Sequence, residues 1–383
     1  MSKRIALFFD GTWNNPDDNT NITKTTKLVS GAVSMEGAPL ANDLENGDTN
    51  VFRLFLRMIA RRGFRMLGGD LVQEGPTEGR ESEQEQVKYY HRGVGERLGE
   101  WIRGGVGGYG LSRNIQEAYL WLAQHYETGD KIFLFGFSRG AFTARSFAGL
   151  INRCGIPINQ DERALLIQIK DAYEVYRQSP PDTLLTEQYK KTYEDYIHPD
   201  SGIEFIGVWD TVGALGIDTR IRWVGRHNFA WHEVELSPTV KNAYHAMALD
   251  EHRPDFDVEK WKANWPKQNA EQRWFIGAHG NVGGGYGPKD RLPDISLDWM
   301  QGKAEHIGLE FKDRANVHAQ AYLDPIRDSY EEFLPNLLSS NYQKRHPPIN
   351  RTRGGGICER FDDTIQNRVK AGGKDEKGKP YRG

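Results

Sequence analysis

The length, composition and charge of the chain exclude several classes of protein. Its 383 residues can bury a large core, and a net charge of −3 with mixed signs predicts no nucleic-acid partner. Two cysteines provide no disulfide framework, and no histidines are spaced around them for structural zinc. The first apolar run, residues 5–9, is too short for the core of a signal peptide, and no segment has the length of a membrane span. The sequence therefore predicts a protein that is cytoplasmic in the producing cell and that, if it acts outside that cell, leaves by a route without a signal peptide.

The first part of the chain alternates predicted strands and helices. In chain order we predict a strand at 5–9, a loop over most of 14–50, a helix at 51–62, a strand at 86–90 and a helix at 111–126. This alternation is typical of a parallel sheet with right-handed crossovers. The fold class that it predicts is α/β, with helices on both faces of a mostly parallel sheet.

The segment 132–145 carries the strongest functional signal. An apolar run leads into Gly136-Phe137-Ser138-Arg139-Gly140, and a small-residue helix pattern follows at once. This is the arrangement of a nucleophile elbow, in which the turn leaves little room for side chains two residues before and after the serine. The hydroxyl at the apex lies close to the positive end of the next helix. The motif therefore predicts Ser138 as a nucleophile in an α/β-hydrolase-like fold.

After the elbow helix we predict a helical insertion or cap at about 158–200. It consists of helices near 161–178 and 186–197, which are the candidate lid. The remaining predicted elements are a strand at 203–209, a helix at 239–249, a strand at 273–276 and a helix at 295–306. We assign residues 1–350 to a single α/β-hydrolase domain and 351–383 to a Gly-, Lys- and Arg-rich tail with a frayed end.

The ends of the predicted strands provide a catalytic triad. Catalytic residues of open parallel sheets lie beyond the carboxyl ends of the strands, where Ser138, Asp210 and His279 all fall. Their chain order, Ser…Asp…His, is that of the α/β-hydrolases. We expect Ser138 to attack, His279 to act as general base and then acid, and Asp210 to orient the imidazole. Asp250 competes for the role of the acid, but it closes a predicted helix, whereas Asp210 follows a strand.

The same loops predict an oxyanion hole and a substrate pocket. One donor is the backbone N–H of Arg139, and the second comes from Gly11 or Thr12. Asp10 either binds substrate or has a structural role, with its carboxylate holding the backbone of this loop or forming an ordinary Asp-Gly turn. Trp13 and Phe137 flank the reactive residues and are placed to line an apolar acyl pocket.

Weaker motifs predict neither a cofactor nor a metal. Gly105-x-Gly107-x-x-Gly110 matches a dinucleotide fingerprint but follows a helix-like stretch instead of a strand. Asp290, Asp294 and Asp298 are spaced for the start and exposed side of a helix, so we interpret them as solvated carboxylates. We therefore expect chemistry that uses only the protein's own side chains.

Several motifs resemble those of the bacterial type VI secretion lipase effectors, and in particular their first phospholipase family. The matching segments lie between about residues 3 and 300: FFDGTWN (8–14), GFSRGAFTAR (136–145), VWDTVG (208–213), ALDE (248–251), WFIGAH (274–279) and GGGY (283–286). The more usual His-Ser-Asp-Val of the family is His279-Gly280-Asn281-Val282 here, which leaves the triad intact.

The resemblance implies a phospholipase or related carboxylester hydrolase with the triad at the positions given above. Family effectors attack membrane phospholipids of rival cells, and they pair with an immunity protein and with components of the secretion apparatus. The chain lacks the long carboxyl-terminal region that many secreted members use for membrane contact, which favours the alternative of a cytosolic esterase of non-membrane esters. A third hypothesis is a non-catalytic binding or assembly component that retains the fold.

Overall fold

A single sheet organises the described part of the chain. The computed structural model describes residues 2–11, 48–67, 70–77, 82–91, 93, 107–178, 184–212, 235–253, 256–287, 289–329 and 356–382. Its strands are β1 Arg4–Phe9, β2 Arg62–Leu67, β3 Asp70–Glu74, β4 Gln86–His91, β5 Lys131–Phe137, β6 Ile203–Trp209, β7 Val240–Ala248, β8 Asn269–Phe275 and β9 Glu359–Phe361. In this described part the nine strands have the order β3-β2-β4-β1-β5-β6-β7-β8-β9. Neighbours pair in parallel, except β2 with β3. The predicted mostly parallel α/β fold is confirmed.

Helices cover both faces of the sheet. They are α1 Asn50–Arg57, α2 Gly107–His125, α3 Arg139–Cys154, α4 Glu162–Gln178, α5 Leu184–Thr192, α6 His279–Gly283, α7 Leu292–His306 and α8 Asp363–Lys370. Alternate side chains of β1 enter two separate cores: Leu7 packs in the core that includes α2 and α3, and Phe8 in the core that includes α1 and α7. Burial on both faces explains why β1 is a continuous apolar run without polar alternation.

Two predicted helices are corrected. Residues 240–248 form the strand β7 instead of a helix, and they pair in parallel with β6 and β8. Most of its side chains are buried on both faces, so the sequence carries no alternation with a period of two, and Ala and Met favour helix locally. The helix predicted over 51–62 ends at Arg57, where buried Lys88 donates to the carbonyls of Phe55 and Met58. The chain then enters β2, which the sequence analysis missed.

The predicted insertion after the elbow helix is present beside the carboxyl end of that helix. Helices α4 and α5 contact the carboxyl end of α3, where Arg153 donates to Tyr176 O over 3.1 Å and Cys154 to Ala172 O over 3.4 Å. Ser138 precedes the other end of α3, and 16 residues of helix span about 24 Å. These contacts give no support to a lid at 161–197, which stays a prediction, and the two helices extend the hydrophobic core that includes α2 and α3.

The carboxyl-terminal segment is folded, whereas the sequence predicts a frayed end. Strand β9 pairs in parallel with β8, and α8 follows it directly. Arg368 is buried and donates to the carbonyls of Tyr322 and Asp324, while the Tyr381 hydroxyl donates to Asp250 over 3.1 Å. Residues 356–382 thus complete one edge of the sheet, which composition alone concealed.

Candidate active site

Ser138 occupies the turn between β5 and α3 in a strained conformation. Its φ of 58° and ψ of −122° lie in a region that residues with a side chain rarely adopt. The backbone is held there because Ser138 N–H donates to Trp209 O over 3.0 Å and Phe142 N–H donates to Ser138 O over 3.3 Å. The predicted strand–turn–helix context of the elbow is therefore present.

Glycines on both sides of Ser138 are required by close backbone contacts. A Cβ on Gly136 would lie 2.5 Å from Gly140 O and 2.7 Å from Ala141 N. A Cβ on Gly140 would lie 2.5 Å from Asp10 O. Real Cβ atoms do not approach backbone oxygens this closely, so both positions exclude a side chain. The loop after β1 thus packs directly against the elbow.

Asp210 and His279 meet at the same edge of the sheet. Asp210 follows β6 and is fully buried, with its Oδ2 2.7 Å from His279 Nδ1 and its Oδ1 accepting the Ala248 N–H over 2.8 Å. Its φ of 36° is a second strained value in this region. His279 begins α6, which follows the carboxyl end of β8 after a connection of three residues. A carboxylate on Nδ1 leaves Nε2 as the nitrogen that can accept a proton.

Aromatic rings enclose the imidazole. Phe137, the residue before Ser138, has its ring centroid 4.6 Å from that of His279, and Phe256 meets the imidazole edge-on at 5.1 Å. Burial lowers the pKa of His279, although its hydrogen bond to Asp210 opposes this. The lowered pKa favours the neutral imidazole, which is the form that can act as a base. These contacts place Phe137 as a support for His279.

The Asp10 carboxylate holds the loop after β1. It accepts hydrogen bonds from Gly11 N–H at 2.7 Å, the Thr49 hydroxyl at 2.7 Å and the Tyr90 hydroxyl at 2.6 Å. Burial raises the pKa of Asp10 and the hydrogen bonds partly offset this effect, so that the resulting pKa is about 6. With these donors the carboxylate fixes a loop, which favours the structural alternative over substrate binding.

The predicted oxyanion donors Arg139 and Gly11 both lie beside Ser138, but their backbone N–H groups have different surroundings. Arg139 is the first residue of α3, where a backbone N–H has no partner inside the helix. A Cβ on Gly11 would lie 3.3 Å from Ser138 Cβ, so Gly11 adjoins the elbow. Its N–H, however, donates to Asp10, so the structure does not support Gly11 as the second donor. Thr12 and Trp13 lie outside the described residues.

Asp250 has different partners from Asp210. Its Oδ2 accepts the Gly277 N–H over 2.6 Å and the Tyr381 hydroxyl over 3.1 Å, and burial raises its pKa to about 6. It follows the strand β7 and not the predicted helix, so its place after an element does not distinguish it from Asp210. The hydrogen bond to His279 nevertheless belongs to Asp210.

Glu251 is a residue of the site that the sequence analysis missed. Its buried carboxylate accepts the backbone N–H of His279 over 3.1 Å. The segment 248–251 was noted as a motif, but the helix predicted for 239–249 hid that Glu251 follows a strand. A strand assignment for 240–248 would have placed Glu251 at the catalytic edge.

The two positions that depart from the family pattern after His279 have structural roles here. A Cβ on Gly280 would lie 2.6 Å from the Tyr286 ring, so Tyr286 occupies the space that a serine would need. Asn281 accepts the N–H groups of Ala278 and Arg327 and donates to Asp290. Both residues support the short helix α6.

The described residues provide neither a metal site nor a membrane span. No group of three or more His, Cys, Asp or Glu side chains in the described ranges is placed to hold a metal ion. Asp294 and Asp298 pair with Arg53 and Arg314, and Asp290 binds Asn281. Within these ranges, no helix is both long and apolar enough to cross a bilayer.

Fold and site together define an α/β protein with a serine at a strand-to-helix elbow and a buried His–Asp pair at the same sheet edge. Residues 3–303 match the family model described as type VI secretion system phospholipase effector Tle1-like, catalytic domain. The chain belongs to this family.

Similar proteins include one curated sequence and two solved structures. Over 283 residues the chain is 30% identical to the uncharacterized protein YEL023C of Saccharomyces cerevisiae. The aligned segment covers 66% of this chain and 32% of the yeast protein. The chain thus spans about a third of that relative's length. The crystal structure of an uncharacterized protein from Pseudomonas aeruginosa is 17% identical, with a TM-score of 0.44 over 81% of this chain and 47% of that chain. The structure of the Tle1 effector bound to the VgrG spike from the type 6 secretion system is 20% identical, with a TM-score of 0.38 over 75% of this chain and 51% of that chain.

Proposed function

We propose that this chain is a serine hydrolase that cleaves carboxylester bonds of phospholipids. The observation that carries the proposal is the 2.7 Å hydrogen bond between His279 and Asp210, at the same sheet edge as a serine in a strained elbow. A serine hydroxyl is a weak nucleophile until a base removes its proton, and a carboxylate-oriented imidazole is a suitable base. Membership of a phospholipase effector family supports the substrate class.

The proposed reaction proceeds through an acyl-enzyme. His279 Nε2 takes the hydroxyl proton as Ser138 Oγ bonds to the ester carbonyl carbon, and the Arg139 N–H stabilises the resulting oxyanion. Collapse of this intermediate breaks the ester C–O bond, and the imidazolium gives its proton to the departing alcohol. A water molecule then repeats both steps on the acyl-enzyme, which releases the fatty acid and restores the Ser138 hydroxyl.

The Arg139 side chain supports a substrate that carries a phosphate. Arg139 is half-buried beside the nucleophile, and burial lowers its pKa to about 10. Among the described residues no acid pairs with its guanidinium. An arginine that is charged at neutral pH and that meets no acid within the described ranges suits a phosphodiester oxygen better than a neutral ester.

Hydrolysis by the wild type and by Ser138→Ala, measured side by side, tests the proposal. The substrates are phospholipid vesicles and short-chain soluble esters, and circular dichroism checks that the variant is folded. We expect the wild type to release fatty acid from vesicles and the variant to release none. Serine-dependent cleavage of soluble esters alone would identify an esterase of non-membrane substrates. No turnover on either substrate, with no labelling by an organophosphonate, would favour a binding component.

Family membership also supports a role as an effector delivered to other cells. The partners that we propose are a component of the secretion apparatus and an immunity protein that restrains the enzyme. Expression directed to the bacterial periplasm tests this role. We expect growth arrest with the wild type and normal growth with Ser138→Ala, and equal growth in both would contradict it.

A further inference from the structure

A buried acid that the proposed reaction does not use lies beside His279. Glu251 comes shortly after β7 and is 1% exposed. Its Oε2 accepts the His279 backbone N–H over 3.1 Å. The charge is paired inside the protein, because Arg253 Nε and Nη2 each reach one carboxylate oxygen at 2.9 Å and the Ser329 hydroxyl lies 2.9 Å from both. A buried carboxylate with this many partners holds a fixed position.

The hydrogen bond that Glu251 accepts satisfies a backbone N–H at the start of α6. His279 is the first residue of the five-residue helix α6, where backbone N–H groups lack partners inside the helix. The preceding residue, Ala278, has no side-chain acceptor to supply one. Asn281 accepts the Ala278 N–H over 3.0 Å, and Glu251 accepts that of His279. Glu251 thereby fixes the backbone from which the imidazole projects.

A second set of contacts links Glu251 to the imidazole ring. The Arg253 guanidinium lies 3.5 Å from the centre of the Phe256 ring, and Phe256 meets the His279 ring edge-on at 5.1 Å. Phe137 contacts the same imidazole at 4.6 Å. The ion pair between Glu251 and Arg253 therefore supports the Phe256 ring, which helps to hold the imidazole in place.

We propose that Glu251 is a positioning residue for His279, acting through the histidine backbone and through the Arg253–Phe256 contact. This inference rests on the proposed function, in which His279 is the general base. Because Glu251 accepts the backbone N–H of His279, its effect is on the orientation and proton affinity of the imidazole.

The charges of the pair act on the imidazole in opposite directions. Glu251 raises the pKa of His279 and Arg253 lowers it, in addition to the larger effects of burial and Asp210. Activity requires neutral His279, so it is present above the pKa of this group and is lost as the pH falls through it. Removal of Glu251 alone should move this acidic limb to lower pH, and removal of Arg253 alone should move it to higher pH.

The test compares Glu251→Gln and Arg253→Gln with the control Glu271→Gln. Glu271 is also buried and ion-paired, with Arg273 and Lys303, but it lies near the start of β8, at the opposite end of that strand from His279. Both carboxylate oxygens of Glu251 accept from Arg253, so the amide NH2 of Glu251→Gln faces the guanidinium and should displace this side chain. We expect the variant to lower kcat on a soluble ester by about a hundredfold with KM little changed, because a displaced base loses alignment. The acidic limbs of kcat/KM should shift in opposite directions in the two variants. The control should lose thermal stability but keep the wild-type kcat and pH profile.

Two results would overturn the inference. One is a folded Glu251→Gln protein with the kcat and pH profile of the wild type. The other is an Arg253→Gln protein whose kcat/KM has the same acidic limb as that of the wild type. This second result decides the question if Glu251→Gln fails to fold. A wild type without serine-dependent turnover would instead remove the proposed function, and this inference with it.

Discussion

At the scale of single residues, two aspartates follow neighbouring strands and bind different donors. We predict that Asp210→Asn lowers kcat/KM by roughly 10⁴-fold, because an amide favours the wrong tautomer of His279. Asp250→Asn should stay near the wild-type rate, since both of its donors bind Oδ2 and an amide oxygen can accept both. The measurement is kcat/KM on a soluble ester for both folded variants. An inactive Asp250→Asn beside an active Asp210→Asn would assign the acid to Asp250.

The Arg139 side chain gives a second prediction at this scale. Arg139→Gln removes the guanidinium and keeps the backbone N–H that the oxyanion needs. We expect a loss of at least about tenfold in kcat/KM on phospholipids, which corresponds to one charge-assisted hydrogen bond of about 1.5 kcal/mol. Neutral short-chain esters serve as the internal control and should be cleaved at nearly the wild-type rate. Equal losses on both substrates would show that the side chain has no specific role toward phosphate.

Individual site residues were predictable where a strand and its glycines frame them. Ser138, Asp210 and His279 each follow a buried strand, so their positions could be predicted from local pattern alone. Glu251 was missed because β7 lacks alternation. Thr49 and Tyr90, which bind Asp10, are 39 and 80 residues away from it along the chain, and no local pattern links them. Such contacts arise only from the topology of the sheet.

At the scale of elements, the elbow depends on close approach of the β1 loop to α3. We predict that Gly140→Ala destabilises the protein by about 2 kcal/mol or more and greatly lowers activity, because the added Cβ would meet the Asp10 carbonyl at 2.5 Å. Gly75→Ala is the control, since its Cβ would have no neighbour within 4 Å. Urea unfolding measures both variants. Equal stability of the two would contradict the close packing described here.

Elements were predictable when their local preference agreed with their tertiary setting. The apolar strands β1, β5 and β6 and the helices α2 and α3 follow their patterns closely. Strand β7 does not, because burial on both faces removes the period of two that distinguishes a strand from a helix. The end of α1 was also misplaced, since Lys88 from β4 terminates it and nothing within 51–62 reveals that contact.

At the scale of the whole molecule, the carboxyl-terminal segment belongs to the sheet. We predict that truncation after residue 355 destabilises the protein by about 3–6 kcal/mol from the lost burial of Ile365 and Tyr381 alone. Deletion of residues 382 and 383 only is the control and should be neutral, because it retains both side chains. Thermal unfolding compares the two proteins. An unchanged Tm in the longer truncation would contradict the packing of this segment.

Covalent labelling tests most directly whether Ser138 is the nucleophile of a serine hydrolase. The folded protein is treated with a fluorophosphonate, and the modified peptide is identified by mass spectrometry. We predict a single adduct on Ser138, formed much more slowly in Asp210→Asn and not at all in Ser138→Ala. A wild type that remains unlabelled, or that carries the adduct on another serine, would contradict the assignment.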